Sequence, residues 1–201
     1  MAIRSLLAMS RAIDSVNEWI GRSAAWLVLA AVLVSAANAI IRKAFDMSSN
    51  AWLELQWYLF GGTFMLAAAW TLRRNEHVRI DVAVSFLSKR ARSWIDLLAH
   101  IVFLVPFIAL MVWLCWPYAI LSFQQQEVSS NAGGLIIWPA KALILFGFIM
   151  MLAQSFSEIV KRIAVLRGLI SDPYDEGKVD AEAELAEALR KEAMAKEQAA
   201  S

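Results

Sequence analysis

The 201-residue sequence has a single cysteine, Cys115, which excludes an intrachain disulfide framework. Alone in an apolar stretch, Cys115 reads as a small packing residue. There are only two histidines, His77 and His100. A haem held between membrane helices needs histidines on facing helices, and His77 falls in a loop. HExxH, paired cysteines, a nucleophile–base pair and a glycine-rich phosphate loop are all missing, so no catalytic or metal site is expected. Charge is scarce as well: 18% of residues are charged and the net charge is +1, against about 25% charged in ordinary soluble domains. No basic face stands out, which excludes a dedicated nucleic-acid binder. What the chain has is apolar surface. Sixty percent is hydrophobic and the mean hydropathy is +0.55, too apolar for a disordered chain. An all-α integral membrane protein is the expectation.

A helix needs about 20 mostly apolar residues to cross about 30 Å of hydrocarbon. Four stretches qualify, over about 23–41, 52–72, 94–123 and 135–160. Backbone facing lipid must satisfy its own hydrogen bonds, so each should be helical. Pro106 removes one ladder bond from the third span and predicts a bend there. Most tryptophans, including Trp19, Trp52, Trp70, Trp94 and Trp138, lie toward span ends, as an aromatic belt requires. The first apolar run resembles a leader peptide, with Arg22 before it and Ala37-Asn38-Ala39 at its end, but it is too long and some twenty polar-rich residues precede it.

Lysine and arginine set the orientation. Arg4, Arg11 and Arg22 precede span one; Arg73, Arg74, Arg79, Lys89, Arg90 and Arg92 fill loop two; Lys161, Arg162 and Arg167 follow span four. Loop one has only Arg42 and Lys43, and loop three (124–134) has neither residue. Both termini and loop two are therefore expected in the cytoplasm. Residues 1–170 form the membrane domain. Residues 171–201, with nine acidic and four basic side chains, form an acidic soluble tail that reads as a solvated helix.

Residues 3–19 have the spacing of an amphipathic helix lying on the membrane, and loop two holds a second interfacial helix ahead of Lys89-Arg90. Loop three, QQQEVSSNAGG, reads as flexible and able to touch a soluble partner. Ionisable groups mark function in a membrane, yet those here lie toward span ends: Glu54 on span two, Asp96 and His100 four apart on span three, Lys141 and Glu158 on span four. Lys141 is placed to snorkel. A transporter of charged solutes needs polar groups or broken helices at mid-depth, in matched halves, and neither is present. Gly61-Gly62 and the Ala31/Ser35/Ala39 stripe read as close helix contacts.

Span two and its flanks carry a family resemblance. Arg42 follows span one; Ser49-Asn50-Ala51-Trp52-Leu53-Glu54 leads into span two; Tyr58 and Gly61-Gly62 follow; and the exit reads Arg73-x-Asn75-x-His77-Val78-x-Ile80-Asp81. Trp138-Pro139 opens span four. Over about residues 15–168 the chain resembles the small membrane subunit, DctQ type, of tripartite ATP-independent periplasmic (TRAP) transporters. It departs at Leu55-Gln56, where many members carry a second acidic residue, and its acidic tail lies outside the family core.

The resemblance implies a four-helix subunit of the bacterial inner membrane without cofactor or catalytic role. It implies association with a large multispanning permease subunit, where sodium coupling and substrate sites would lie, and with a periplasmic solute-binding protein that usually delivers an organic acid. Arg42, Trp52, Glu54, Tyr58, Gly61, Gly62, Arg73, His77 and Asp81 are the candidate structural or subunit-interface residues. Membrane lipids are the remaining expected partner. Two rivals are a self-sufficient small multidrug-type exporter and a structural tetraspan protein. The exporter carries a membrane-embedded glutamate in its first helix, and nothing between Arg22 and Arg42 is charged.

Overall fold

A computed structural model describes residues 2–47, 49–74 and 88–171. These form α1 (Ala2–Phe45), α2 (Asn50–Arg74), α3 (Lys89–Ala99), a π-helical turn (His100–Leu104), α4 (Val105–Gln124) and α5 (Trp138–Leu166). Helix α3, the turn and α4 run on as one rod. Helix α5 is the centre of the bundle: α1, α2, α3 and α4 all pack on it, and α1 and α2 form the most extensive helix pair.

Three of these helical stretches, Ile3–Phe45, Arg90–Gln124 and Trp138–Leu166, are long and apolar enough to cross a membrane. Helix α2 is 25 residues long, about 37 Å at 1.5 Å per residue, but less apolar. The distribution of side chains is that of a membrane bundle. Phe64, Phe103, Trp113 and Trp26 are each more than 70% exposed, while most buried positions are small or polar, among them Ala31, Ala69, Ala119, Ala164, Gln154 and Ser157. Water would penalise such a surface. Lipid would not, and small buried residues let helix backbones approach closely.

Those close approaches fall partly where expected. Gly62 is buried against Leu27 and Leu143, but Gly61 faces open space, so half of the glycine pair is not a packing residue. Ala31 is fully buried, whereas Ser35 and Ala39 line an open groove with Gln56 and Phe60. Two tighter contacts were not anticipated. A Cβ on Gly147 would meet Met65 Cβ at 2.8 Å, and one on Gly21 would meet Trp70 Cβ at 2.5 Å.

Two further differences concern helix shape. The segment expected as a separate surface helix continues span one without a break, giving a 44-residue α1. Its buried stripe is Ser10, Asp14, Asn17, Gly21, Ala24 and Ala31, at steps of four, three, four, three and seven residues, all on the side facing the bundle. A polar face at residues 10–17 is satisfied by α5, so nothing forces the helix to turn onto the surface. A bend was expected at Pro106; what the structure places just ahead of it is a π-helical turn, closed by the Val105 N–H donating to the His100 carbonyl. A wider turn ahead of a residue with no N–H rearranges the ladder locally. Pro117 lies inside α4 as well.

Candidate functional site: two polar clusters at the ends of the bundle

The first cluster joins α1, α2 and α5 at the end that holds the N-terminus. Gln154 is fully buried and engages both amide hydrogens and its amide oxygen nearby. Its Nε2 donates to Asp14 Oδ1 and Glu158 Oε1, each at 2.8 Å, and its Oε1 accepts from Asn17 Nδ2 at 2.7 Å. Ser157 Oγ donates to Asp14 Oδ1 at 2.8 Å and shares a 2.6 Å contact with Ser10 Oγ. Lys161 Nζ lies 3.1 Å from Asp14 Oδ2 and 2.5 Å from Glu158 Oε1. Arg73, at the end of α2, reaches the Asp14 carbonyl at 3.2 Å and the Glu18 carboxylate at 2.5 Å. Beside this group Arg162 pairs with Asp96 of α3 at 2.8 Å, and His100 Nδ1 contacts the Asp96 carbonyl at 2.7 Å. Unpaired charge in a low-dielectric interior is costly. Here carboxylates and cations neutralise one another across four helices.

The second cluster sits at the other end, where α2 meets the connection between α4 and α5. Glu54 is 5% exposed. One carboxylate oxygen accepts from Ser129 Oγ at 2.5 Å and Asn131 Nδ2 at 2.8 Å, and the other accepts from the Leu135 N–H at 2.6 Å. Asn50 Nδ2 donates to the Ala132 carbonyl and the Tyr58 hydroxyl to the Ile136 carbonyl. Gly134 leaves room for this carboxylate: a Cβ there would lie 2.9 Å from Glu54 Oε1. Glu127 pairs with Lys141 at 2.5 Å, and that bond with the cation holds the Glu127 carboxyl below its ordinary value. Lys141 also lies 3.9 Å from the centre of the Tyr118 ring. Lys141 was expected to snorkel; it is buried in an ion pair instead. Loop three was expected to be flexible; its backbone is instead closed by the Ser129 N–H to Leu135 O and Ile137 N–H to Glu127 O bonds flanking a Val128–Ile136 bridge.

The candidate residues therefore separate. Glu54 and Tyr58 meet in the second cluster, and Arg73 belongs to the first. Trp52 is partly exposed, Arg42 is exposed, and Gly62 packs in the bundle while Gly61 does not. His77 and Asp81 lie outside the described residues, as do the tail and most of loop two. Sequence reading missed Asp14, Asn17, Gln154 and Ser157. Their signal was present as Ser10, Asp14 and Asn17 at helical spacing, facing Gln154, Ser157 and Lys161 on another apolar helix. Among the described residues no three His, Cys, Asp or Glu side chains converge to hold a metal ion. The chemistry available to both clusters is cross-linking of helices by charge-assisted hydrogen bonds.

The comparison with known families agrees with this helical architecture. Residues 31–165 match the family "Tripartite ATP-independent periplasmic transporters, DctQ component". No curated protein and no solved structure matches the chain significantly. The matched region contains α2, α3, α4, nearly all of α5 and the whole Glu54 cluster, and the chain belongs to the DctQ component family of tripartite ATP-independent periplasmic transporters.

Proposed function

We propose that this chain is the non-catalytic scaffold subunit of a sodium-gradient-driven TRAP transporter that imports an organic acid delivered by a periplasmic binding protein. In this reading α2 also crosses the membrane as span two, making four spans in all, both termini are cytoplasmic, and the host membrane is the bacterial inner membrane. The large permease subunit carries the solute and sodium sites.

The observation that carries the reading is where the polar groups go. The two polar clusters described above tie helices together near opposite ends of the bundle, and large apolar side chains cover the outside. A mobile transport domain needs polar groups or unwound helices at mid-depth. A stationary part needs stiffness, and buried, mutually satisfied hydrogen bonds supply it. An elevator-type machine has one domain that moves and one held still; a bundle fastened at both ends suits the second role.

The test is affinity purification of the tagged chain from native membranes in mild detergent, read by mass spectrometry. Stoichiometric recovery of a larger multispanning protein is expected. Recovery of this chain alone, as a homo-oligomer, would overturn the scaffold reading.

A further inference from the structure

We infer that the end of the bundle carrying the N-terminus is a binding face for the headgroups of anionic phospholipids, presented by Arg4 and Arg11 of α1, Arg90 of α3 and Arg167 just after α5. The face needs no partner subunit and so stands apart from the scaffold reading. The first observation is a sorting of charge by packing. Among the described residues, the carboxylates at this end are Asp14, Glu18, Asp96 and Glu158, and none is exposed. Each turns onto a cation: Asp14 and Glu158 onto Lys161, Glu18 onto Arg73, and Asp96 onto Arg162. Arg4, Arg11, Arg90 and Arg167 are exposed. Acids and bases are mixed along the chain, but at this end the packed helices turn the acids inward and show the bases.

The second observation is reach. Arg73, at the end of α2, meets α1 at Asp14. Residues 2–13 of α1, about 18 Å at 1.5 Å per residue, therefore run on past α2. Arg4 and Arg11 lie on this projection, two turns apart and within about 20° of one line along the helix. Leu6 and Met9 are exposed on the same stretch. Outward leucine and methionine are unfavourable in water, whereas at a leaflet the apolar groups meet acyl chains and the arginines meet phosphates. The third observation is an order along α3. Arg90, Trp94 and Leu98 follow one another at one-turn steps, and all three are exposed. Cation, amphipathic ring and aliphatic chain succeed one another as phosphate, interface and acyl region do in a leaflet. This order selects a lipid as the occupant: the acidic segment 171–201 could match the arginines, but not the tryptophan and leucine that follow them. Guanidinium groups grip phosphate through paired N–H bonds, and clustered cations beside a membrane favour anionic headgroups.

The experiment titrates the full-length chain in detergent with phosphatidylglycerol or phosphatidylcholine and counts the retained lipids by native mass spectrometry. Wild type should bind phosphatidylglycerol about tenfold more tightly or better, and the preference should shrink as salt rises. Arg4→Gln, Arg11→Gln, Arg90→Gln and Arg167→Gln together should abolish the preference while helicity and thermal unfolding stay as in wild type. Lysine at the same four positions keeps the charge and should keep most of the preference. Arg42→Gln with Lys43→Gln, exposed at the opposite end, should leave it intact. Equal affinity of wild type for the two lipids, or a preference in the neutralised variant within about twofold of wild type, would overturn the proposal. Hydrogen exchange in nanodiscs containing phosphatidylglycerol tests the rival occupant. Protection of residues 179–198 that the neutralised variant abolishes would give the face to the acidic tail and overturn the proposal as well. Recovery of the large subunit is read separately, so failure here leaves the scaffold reading standing.

Discussion

Replacing Gln154 with leucine, a side chain of similar size, removes three hydrogen bonds at a position with no water access, since Gln154 is 0% exposed. Two of the bonds run to the Asp14 and Glu158 carboxylates and one comes from the Asn17 amide. In soluble proteins hydrogen bonds to charged groups contribute about 1.5–3 kcal/mol each. Interhelical bonds in membranes average about 0.6 kcal/mol and reach about 1.7 kcal/mol. Lys161 and Ser157 still hold Asp14, so the carboxylate is not stranded. Taking the membrane values for all three bonds, from the average to the maximum, gives a loss of about 2–5 kcal/mol, roughly a 30- to 5,000-fold shift in the folding equilibrium. Titration with SDS in mixed micelles, followed by far-ultraviolet circular dichroism, measures this directly. Phe156→Ala, on the outward face and 50% exposed, is the control and should stay within about 0.5 kcal/mol of wild type. A Gln154→Leu protein as stable as that control would refute the claim that the network fastens α1 to α5.

Gly147→Val should destabilise the bundle by about 1–3 kcal/mol through overpacking against Met65, whereas Gly61→Ala, facing open space, should be neutral or stabilising by up to about 1 kcal/mol; thermal unfolding in detergent separates the two. Removing either partner of the buried Arg162–Asp96 pair should cost about 3–5 kcal/mol, while Asp96→Leu with Arg162→Met together should recover most of it, as a double-mutant cycle on unfolding would report. Because pairing with Lys141 lowers the Glu127 carboxyl, its contribution is fully present above the ordinary value of 4.5 and is lost as pH falls through the depressed folded value. Acidification below that point should therefore raise hydrogen exchange at the Ile137 amide, and Lys141→Met should raise it already at neutral pH.

Helix class and membrane character were legible because each follows from local composition. Long apolar runs such as 23–41 leave few alternatives in any environment. Glu54 was legible as a candidate through its place in the span-two motif, but its partners were not, because Ser129, Asn131 and Leu135 are 75 to 81 residues away along the chain. The polar face of α1 was missed for a related reason. Ile3, Leu6, Leu7, Ser10, Ile13 and Val16 suggested a membrane-surface face; Leu6 and Val16 are exposed, but Ser10 is buried, and the ordering face is Ser10–Asp14–Asn17, whose meaning depends on Gln154 standing opposite. Gly61 and Gly62 are indistinguishable as letters; one step of about 100° around the helix puts one against Leu27 and Leu143 and the other in the open.

Hydrophobic length and charge placement suffice to make this chain helical and suited to lipid, because both act locally and add along the chain. The sequence also carried enough of the DctQ pattern to indicate the family. Which polar residues meet, the fastening of loop three, and the unbroken run of α1 from residues 3–19 into the first span emerge only when the helices pack. Those outcomes depend on pairings between distant segments, and a buried polar side chain acquires its role only once a specific neighbour satisfies it.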